Sequence, residues 1–192
     1  AILNEQSEKM YGTSITNIVY MGMGEPLLNY NNVLKSIERI TASDSMAMSP
    51  KRITVSTAGV AKMIKQLGDD KVRFNLALSL HAANDEKRNT IMAINESNNI
   101  AALTEALNYF YEQTKNDITL EYVLLKGVND SIEDAEELVK VYRKIPTHLI
   151  NIIEFNPVVG IPYLKTDEDT TQIFTDYLAK NRVNVRVRRS RG

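Results

Sequence analysis

The sequence contains no cysteine in its 192 residues. Disulfides, cysteine metal sites and thiol nucleophiles are thereby excluded from this chain. Long apolar runs are missing too: the apolar stretches are about strand length, and none approaches the ~18 uninterrupted residues of a membrane helix. No basic-then-apolar leader opens the chain, so a cytoplasmic protein without membrane contact is expected. Histidine is scarce, with only His81 and His148. Neither has a second histidine near it at metal-ligand spacing, and no zinc site is expected. Net charge is only −1, which gives no whole-chain argument for nucleic acid. Gly/Ser-rich linkers and low-complexity segments are absent, and the expectation is one domain over residues 1–192.

The charge that is present is unevenly placed. The last ten residues, VNVRVRRSRG, hold Arg186, Arg188, Arg189 and Arg191 and no acid, on a body that is net acidic. Such a strand either meets a polyanion or is a solvated edge strand protected by its own cations.

Along the chain, short β-branched or apolar runs alternate with segments of helical spacing. Strands are expected at 17–21, 52–56, 73–80, 118–125, 149–155 and 183–188, and helices at 30–41, 60–67, 85–92, 100–113, 132–143 and 167–180. Repeated strand–helix–strand units imply parallel strands joined by crossover helices. Helix starts are marked by Asn84-Asp85-Glu86, Ser131 with Glu133 and Asp134, and Thr166-Asp167-Glu168. Ile100, Leu103, Leu107, Phe110 and Tyr111 form one stripe, which predicts a helix packed on a sheet. A doubly wound sheet and a curled barrel both satisfy this pattern. Glu121, inside the run ITLEYVLL, suits a barrel lumen better than a sheet covered on both faces.

In α/β folds, ligands gather at the C-terminal ends of strands. The first such end is Met21-Gly22-Met23-Gly24-Glu25-Pro26, where glycines permit close backbone approach and Glu25 offers an ammonium acceptor or is an exposed acid in a tight turn. It is not a dinucleotide fingerprint, because the third glycine is missing. At the second end, Ser56 and Thr57 can receive a carboxylate or phosphate, with helix capping as the plainer role for Thr57. The third carries Ser79, Leu80 and His81, and a lone histidine is commonly a hydrogen-bonded structural residue. The fourth carries Asn156, whose amide both donates and accepts unless it serves an Asn-Pro turn with Pro157. Together these groups suit a small zwitterionic ligand, and they contain no activated nucleophile.

The segments GMGEPLLNY, ITVSTAG, LSLHAAND, EYVLLKGVND, FNPVVGIPY and VRRSRG occur in an order and spacing that resembles the radical S-adenosylmethionine (SAM) 23S rRNA adenine methyltransferases. The resemblance covers residues 17–192. Gly-Glu-Pro alone would indicate only the radical SAM superfamily, whereas LHAxND combined with RRSRG is far more specific. The resemblance implies a partial (β/α)6 radical SAM barrel, incomplete at its N-terminal side, with SAM at the strand C-termini. Gly24 and Glu25 would hold the methionine amino group, Ser56 would hydrogen-bond SAM, Ser79, Leu80 and His81 would line its site, and Asn156 would reach it from the far side. Arg186, Arg188, Arg189 and Arg191 would sit near RNA. The activity implied is methylation of carbon 2 of adenine in 23S rRNA, with tRNA as a second candidate substrate; a related branch methylates carbon 8.

In such enzymes a CxxxCxxC loop binds a [4Fe–4S] cluster, an electron donor such as flavodoxin feeds it, and a 5′-deoxyadenosyl radical activates a methyl group carried on a cysteine. This chain departs from that pattern. It opens on AILNEQSEKMYG, of helix-like composition, and ends on RRSRG, with neither cysteine segment. Ala58, Ala83 and Ala93 stand where the family commonly has serine or proline. The expectation is therefore the cofactor barrel of an RNA methyltransferase, cut short at both ends, inactive alone, with no catalytic residue and no metal ligand of its own. Two alternatives stay open: another radical SAM enzyme such as a glycyl-radical activase, and a cluster-free domain that binds nucleotide or RNA without catalysis.

Overall fold

Alternation along the strands sets the layering of the molecule, because successive side chains of a strand point to opposite faces. The computed structural model describes residues 2–189. Its six strands are β1 (Ile18–Tyr20), β2 (Ile53–Thr57), β3 (Asn75–Ser79), β4 (Ile118–Leu124), β5 (Leu149–Glu154) and β6 (Val185–Arg188). All pair in parallel, in chain order. The register puts Ile53, Val55, Leu76, Leu78, Ile118, Leu120, Tyr122, Leu124, Ile150 and Ile152 on one face, where they form the hydrophobic core.

Among the described residues seven α-helices accompany the sheet: α1 (Ile2–Tyr11), α2 (Tyr30–Thr41), α3 (Ala61–Asp69), α4 (Asp85–Ile91), α5 (Ile100–Thr114), α6 (Ile132–Tyr142) and α7 (Glu168–Lys180). Strand order that follows chain order sends every right-handed crossover over the same face. A doubly wound sheet needs a reversal of strand order, and none occurs. The core accordingly joins the aliphatic strand face to Ile37, Ile64, Leu67, Leu103, Leu107, Phe110, Leu138, Phe174 and Leu178 of the helices. Among the described residues no helix covers the other face, yet at its centre Glu121 is 3% and Asn151 1% exposed. The sheet curls around them as a half-barrel, and Glu121 lies in its lumen as its place in the strand suggests.

The helix starts follow their local chemistry. Asn84 accepts the Lys87 N–H at 2.8 Å, Asp167 accepts that of Thr170 at 2.9 Å, and Ser131 with Asp134 forms a reciprocal capping box. The stripe on α5 packs into the core with the strand face, as its spacing predicts. Leu103, Ala106, Leu107 and Phe110 are buried, and the helix also packs closely on α3. A Cβ placed on Gly68 would stand 3.1 Å from Tyr109 Cε1, so glycine permits that approach. The opening segment of helix-like composition is realised as α1, which buries no residue.

Candidate functional site

The face left bare by the helices carries polar residues in register across the sheet. Ser79 lies beside Glu121, Glu121 beside Asn151, and Asn151 beside Arg186; one step toward the C-terminal ends, Ile153 lies beside Arg188. Above them the strand ends enclose a cavity of about 380 Å3, lined by Gly24, Glu25, Ser56, Ser79, His81, Glu121, Ile153 and Arg188 among others. Its size falls in the range of small-molecule sites, roughly 300–1,000 Å3.

Glu25 follows Gly24, whose φ of +90° is a conformation that side chains disfavour. The Glu25 carboxylate accepts two backbone N–H groups, from Leu27 at 3.0 Å and from Ala58 at 2.6 Å. It thus caps the 3-10 turn Pro26–Asn29 and ties the β1 loop to the end of β2. Each oxygen keeps a lone pair for a further donor, so structural and ligand-holding roles coexist. Ser56 Oγ lies 3.5 Å from Ser79 Oγ across neighbouring strands. Thr57, on the core face, accepts the Gly59 N–H at 3.0 Å. The start of α3 is served instead by Asn98, which accepts from Ala61 N at 2.8 Å.

His81 leaves β3 with a φ of +58°. Its Nδ1 accepts the Val123 N–H at 3.1 Å, which fixes the proton on Nε2. Burial, and secondarily the Arg88 guanidinium, pull the imidazole from 6.5 down to about 4, so at neutral pH it carries no charge and its Nε2–H is available as a donor. Between pH 6.5 and pH 4 the unfolded chain binds a proton at this residue that the folded chain refuses. Stability is therefore expected to fall by roughly 2 kcal/mol as pH drops through that window. Urea midpoints measured from pH 7 down to pH 4 check this. His81→Gln should lose that part of the slope, and an unchanged slope would assign it to other groups.

Two residues that carry the site escaped the sequence reading. Arg88, on α4, is fully buried and donates to the carbonyls of Leu80, Ala58, Ser79 and Asn98 and to Asn95 Oδ1. Desolvation lowers its guanidinium to about 10, with Asp85 opposing, so it stays charged. Asn129 is also fully buried. It donates to the carbonyls of His81 and Val123 and accepts from Leu125 N, at 2.7 to 2.8 Å. In sequence, Arg88 lies in a charged helix and Asn129 in a helix-start motif, so neither differs locally from a solvated residue.

Gly24, Glu25, Ser56, Ser79 and His81 converge on the cavity. Leu80 is 1% exposed in the core, and its carbonyl is held by Arg88. Asn156 lies two residues beyond β5, exposed and outside the lining. β6 is an edge strand, with Arg186 and Arg188 on the concave face and Val185 and Val187 packed toward the core. Arg188 lines the cavity. Arg189 Nε lies 3.9 Å from Glu154, whose carboxylate also takes Lys165 at 3.2 Å. Arg191 lies outside the described residues. Among the described residues, no group of three or more His, Cys, Asp or Glu side chains could hold a metal ion. No helix among them is long and apolar enough to cross a membrane.

The set suits a small zwitterionic ligand: Glu25 can accept an ammonium, and the Ser56 and Ser79 hydroxyls can donate to a carboxylate.

Comparison with known proteins bears on that chemistry. The model of the Radical SAM superfamily matches residues 4–140. A protein of Cytophaga hutchinsonii named "Probable dual-specificity RNA methyltransferase RlmN" is 51% identical over 191 residues, 100% of this chain and 52% of the relative. A "Dual-specificity RNA methyltransferase RlmN" of Campylobacter lari is 44% identical over 176 residues, 92% of this chain and 49% of the relative. The chain spans about half the length of the curated relatives it matches. The crystal structure of a radical SAM methyltransferase from Sphaerobacter thermophilus superposes with a TM-score of 0.94 at 34% identity, covering 100% of this chain and 55% of that one. Streptococcus suis SuiB bound to S-adenosylmethionine shares the fold, with a TM-score of 0.67 at 17% identity over 98% of this chain and 43% of its own.

Proposed function

Because the chain belongs to the radical SAM superfamily, we propose that it is the cofactor-holding half-barrel of an RNA methyltransferase acting on carbon 2 of adenine in 23S rRNA and tRNA. The observation that carries this reading is the convergence of Glu25, Ser56, Ser79 and His81 on one cavity at the C-terminal ends of parallel strands. The names and the 51% and 44% identities of the relatives support the RNA substrate.

Bound SAM would supply the methyl group and, alongside an iron–sulfur cluster, the radical chemistry. This chain's own residues bind and orient it. Glu25, held by two backbone N–H groups, presents a fixed carboxylate to the methionine ammonium, a charge-assisted contact. Ser56 and Ser79 offer hydroxyls to the methionine carboxylate and the sugar. His81, neutral with its proton on Nε2, donates without adding a competing positive charge near a sulfonium. Leu80 contributes through its backbone, which Arg88 fixes. Arg186, Arg188 and Arg189 face or flank the mouth and neutralise RNA phosphate, and Asn156, exposed two residues beyond β5, would approach the cofactor from the far side.

The cluster is another matter. Cysteine thiolates hold such clusters, and the chain contains none. The [4Fe–4S] ligands, the methyl-carrying cysteine and docking of a donor such as flavodoxin belong, in this reading, to a longer protein. The chain alone should release no 5′-deoxyadenosine from SAM under dithionite.

The test has two parts. Glu25→Gln should weaken SAM binding to the chain, followed by amide shifts in NMR titration, by roughly ten- to hundredfold. In cells, deleting the gene that encodes the chain should remove 2-methyladenosine from 23S rRNA nucleosides. Loss of 8-methyladenosine instead would move the target to carbon 8, and an unchanged nucleoside profile would overturn the methyltransferase reading.

A further inference from the structure

The two ends of the sheet differ in charge. Six segments run from an α-helix to the next strand: 12–17, 42–52, 70–74, 115–117, 143–148 and 181–184. They hold eight lysines and arginines against Asp44, Asp70 and Asp117. The five segments that run from a strand to the next α-helix hold two lysines against three acids. All eight cations of the first set are exposed, and among the described residues none forms an ion pair. Asp44, by contrast, is taken by Arg39 at 2.9 Å. The N-terminal end of the sheet, opposite the mouth, is therefore a cationic face on a chain whose net charge is −1.

Hydrogen bonds hold that face together. Asn116, 2% exposed, donates to the Val72 carbonyl at 2.6 Å and accepts from Lys51 Nζ at 2.8 Å, so one buried amide ties the loops before β2, β3 and β4. The Thr147 hydroxyl donates to the Ile118 carbonyl at 2.8 Å, and Asn184 Nδ2 to that of His148 at 2.9 Å, which adds the loops before β5 and β6. Helix C-termini also gather at this end and favour cations within their last turn. Lys51 and Arg52 lie beyond that reach, ten or more residues past the end of α2 at Thr41. Nor does a helix dipole call for left-handed backbone, yet Lys71, Lys115 and Arg182 have φ of +49°, +54° and +62°. Glycine or asparagine is the usual residue at such helix ends. Three cations thus stand where glycine would cost less, and strain of this kind is characteristic of sites that hold a ligand.

We propose that this face binds the phosphate backbone of RNA, at the end of the half-barrel away from the cavity. A protein partner needs large apolar anchors at the centre of its interface, and a membrane surface needs them to take up a protein face. Among the described residues, no exposed large hydrophobic side chain lies in the six segments. A phosphate backbone asks only for cations and hydrogen-bond donors. That the polyanion is RNA rests on the function proposed above, whereas the cationic face stands without it. Strands of five to seven residues, at about 3.3 Å each, put this face roughly 20 Å from the mouth. It therefore takes a second segment of a folded RNA, apart from the one at the mouth.

The experiment is fluorescence anisotropy of a labelled RNA duplex titrated with the chain over a salt series. Arg52→Gln with Arg73→Gln should lower the slope of log affinity against log salt by about 2, and weaken binding about tenfold at roughly 0.1 M salt. Lys71→Gly, Lys115→Gly and Arg182→Gly together should weaken it at least as much. Their urea midpoint should stay at or above that of the wild type, because glycine relieves the left-handed backbone. Variants that keep the wild-type slope and affinity would sink the proposal. Equally tight binding of polyglutamate of matched charge would also overturn it, by making the face a site for an acidic protein. On the wild type alone, RNA should shift the NMR amide signals of residues 51–52, 71–73, 115–117 and 182. Shifts confined to the strand ends around the mouth count against the proposal. None of these outcomes touches the cofactor and methylation readings, which the SAM titration and the nucleoside profile test by themselves.

Discussion

Arg88→Met is expected to destabilise the chain by about 3–5 kcal/mol and to abolish SAM binding together with it. Replacing a buried ion pair by apolar residues can be nearly neutral when both partners go. Here the partners are mainly backbone carbonyls, of Ala58, Ser79, Leu80 and Asn98, and no side-chain substitution removes them. Methionine fills the space but takes the guanidinium donors from all four, of which the Leu80 carbonyl still accepts the Ala82 N–H at 2.8 Å. The Oδ1 of Asn95, a residue 1% exposed, loses the Arg88 donor it accepts from at 2.6 Å as well. Arg88→Lys should recover less than half of the loss, because an ammonium cannot present the planar fork that reaches two strand ends at once. Guanidinium midpoints for the three proteins decide the matter, and a methionine variant within about 0.5 kcal/mol of wild type would show that the strand ends need no such tie.

Asn129→Ala should cost about 3 kcal/mol by a related route. Three groups lose their partner in one step: the carbonyls of His81 and Val123 and the N–H of Leu125. The Asn129 carbonyl, which accepts from the Tyr122 hydroxyl at 2.9 Å, keeps its bond only as far as the turn keeps its shape. Asn129→Asp should be about as damaging, since a carboxylate still accepts from Leu125 but faces two carbonyls it cannot serve. Urea midpoints give the magnitude. Amide exchange should rise first at Val123, whose N–H is held by His81 Nδ1. If exchange rises uniformly instead, Asn129 does not hold the β3 and β4 ends as a unit.

The contrast between these two residues and Glu25 explains what the sequence discloses. Strand positions announce themselves through β-branched alternation, and expected and observed spans differ by at most two residues at an end. Caps at Asn84, Ser131 and Asp167 are equally plain, because their chemistry is local. Gly24, Glu25, Ser56, Ser79 and His81 are legible as strand-end residues, and strand ends converge in any parallel α/β fold. Arg88 and Asn129 act on backbone groups up to 48 residues away, and no local pattern encodes such distances. The choice between barrel and doubly wound sheet depends on strand order, which Glu121 hints at without fixing. Asn156 shows a limit of alternation: with β5 ending at Glu154, parity along the strand no longer says where the residue points.

A sheet with its helices on one side has a consequence for how such a protein can change. Along β2 to β5, alternate residues answer to separate demands: Val55, Leu76, Leu120 and Ile152 to close packing, and Ser56, Ser79, Glu121 and Asn151 to the polar concave side. The two sets share a backbone and point to opposite faces of it. Drift in one leaves the other nearly untouched, so a new guest can be accommodated by rewriting every second letter of a strand while the scaffold stays as it is.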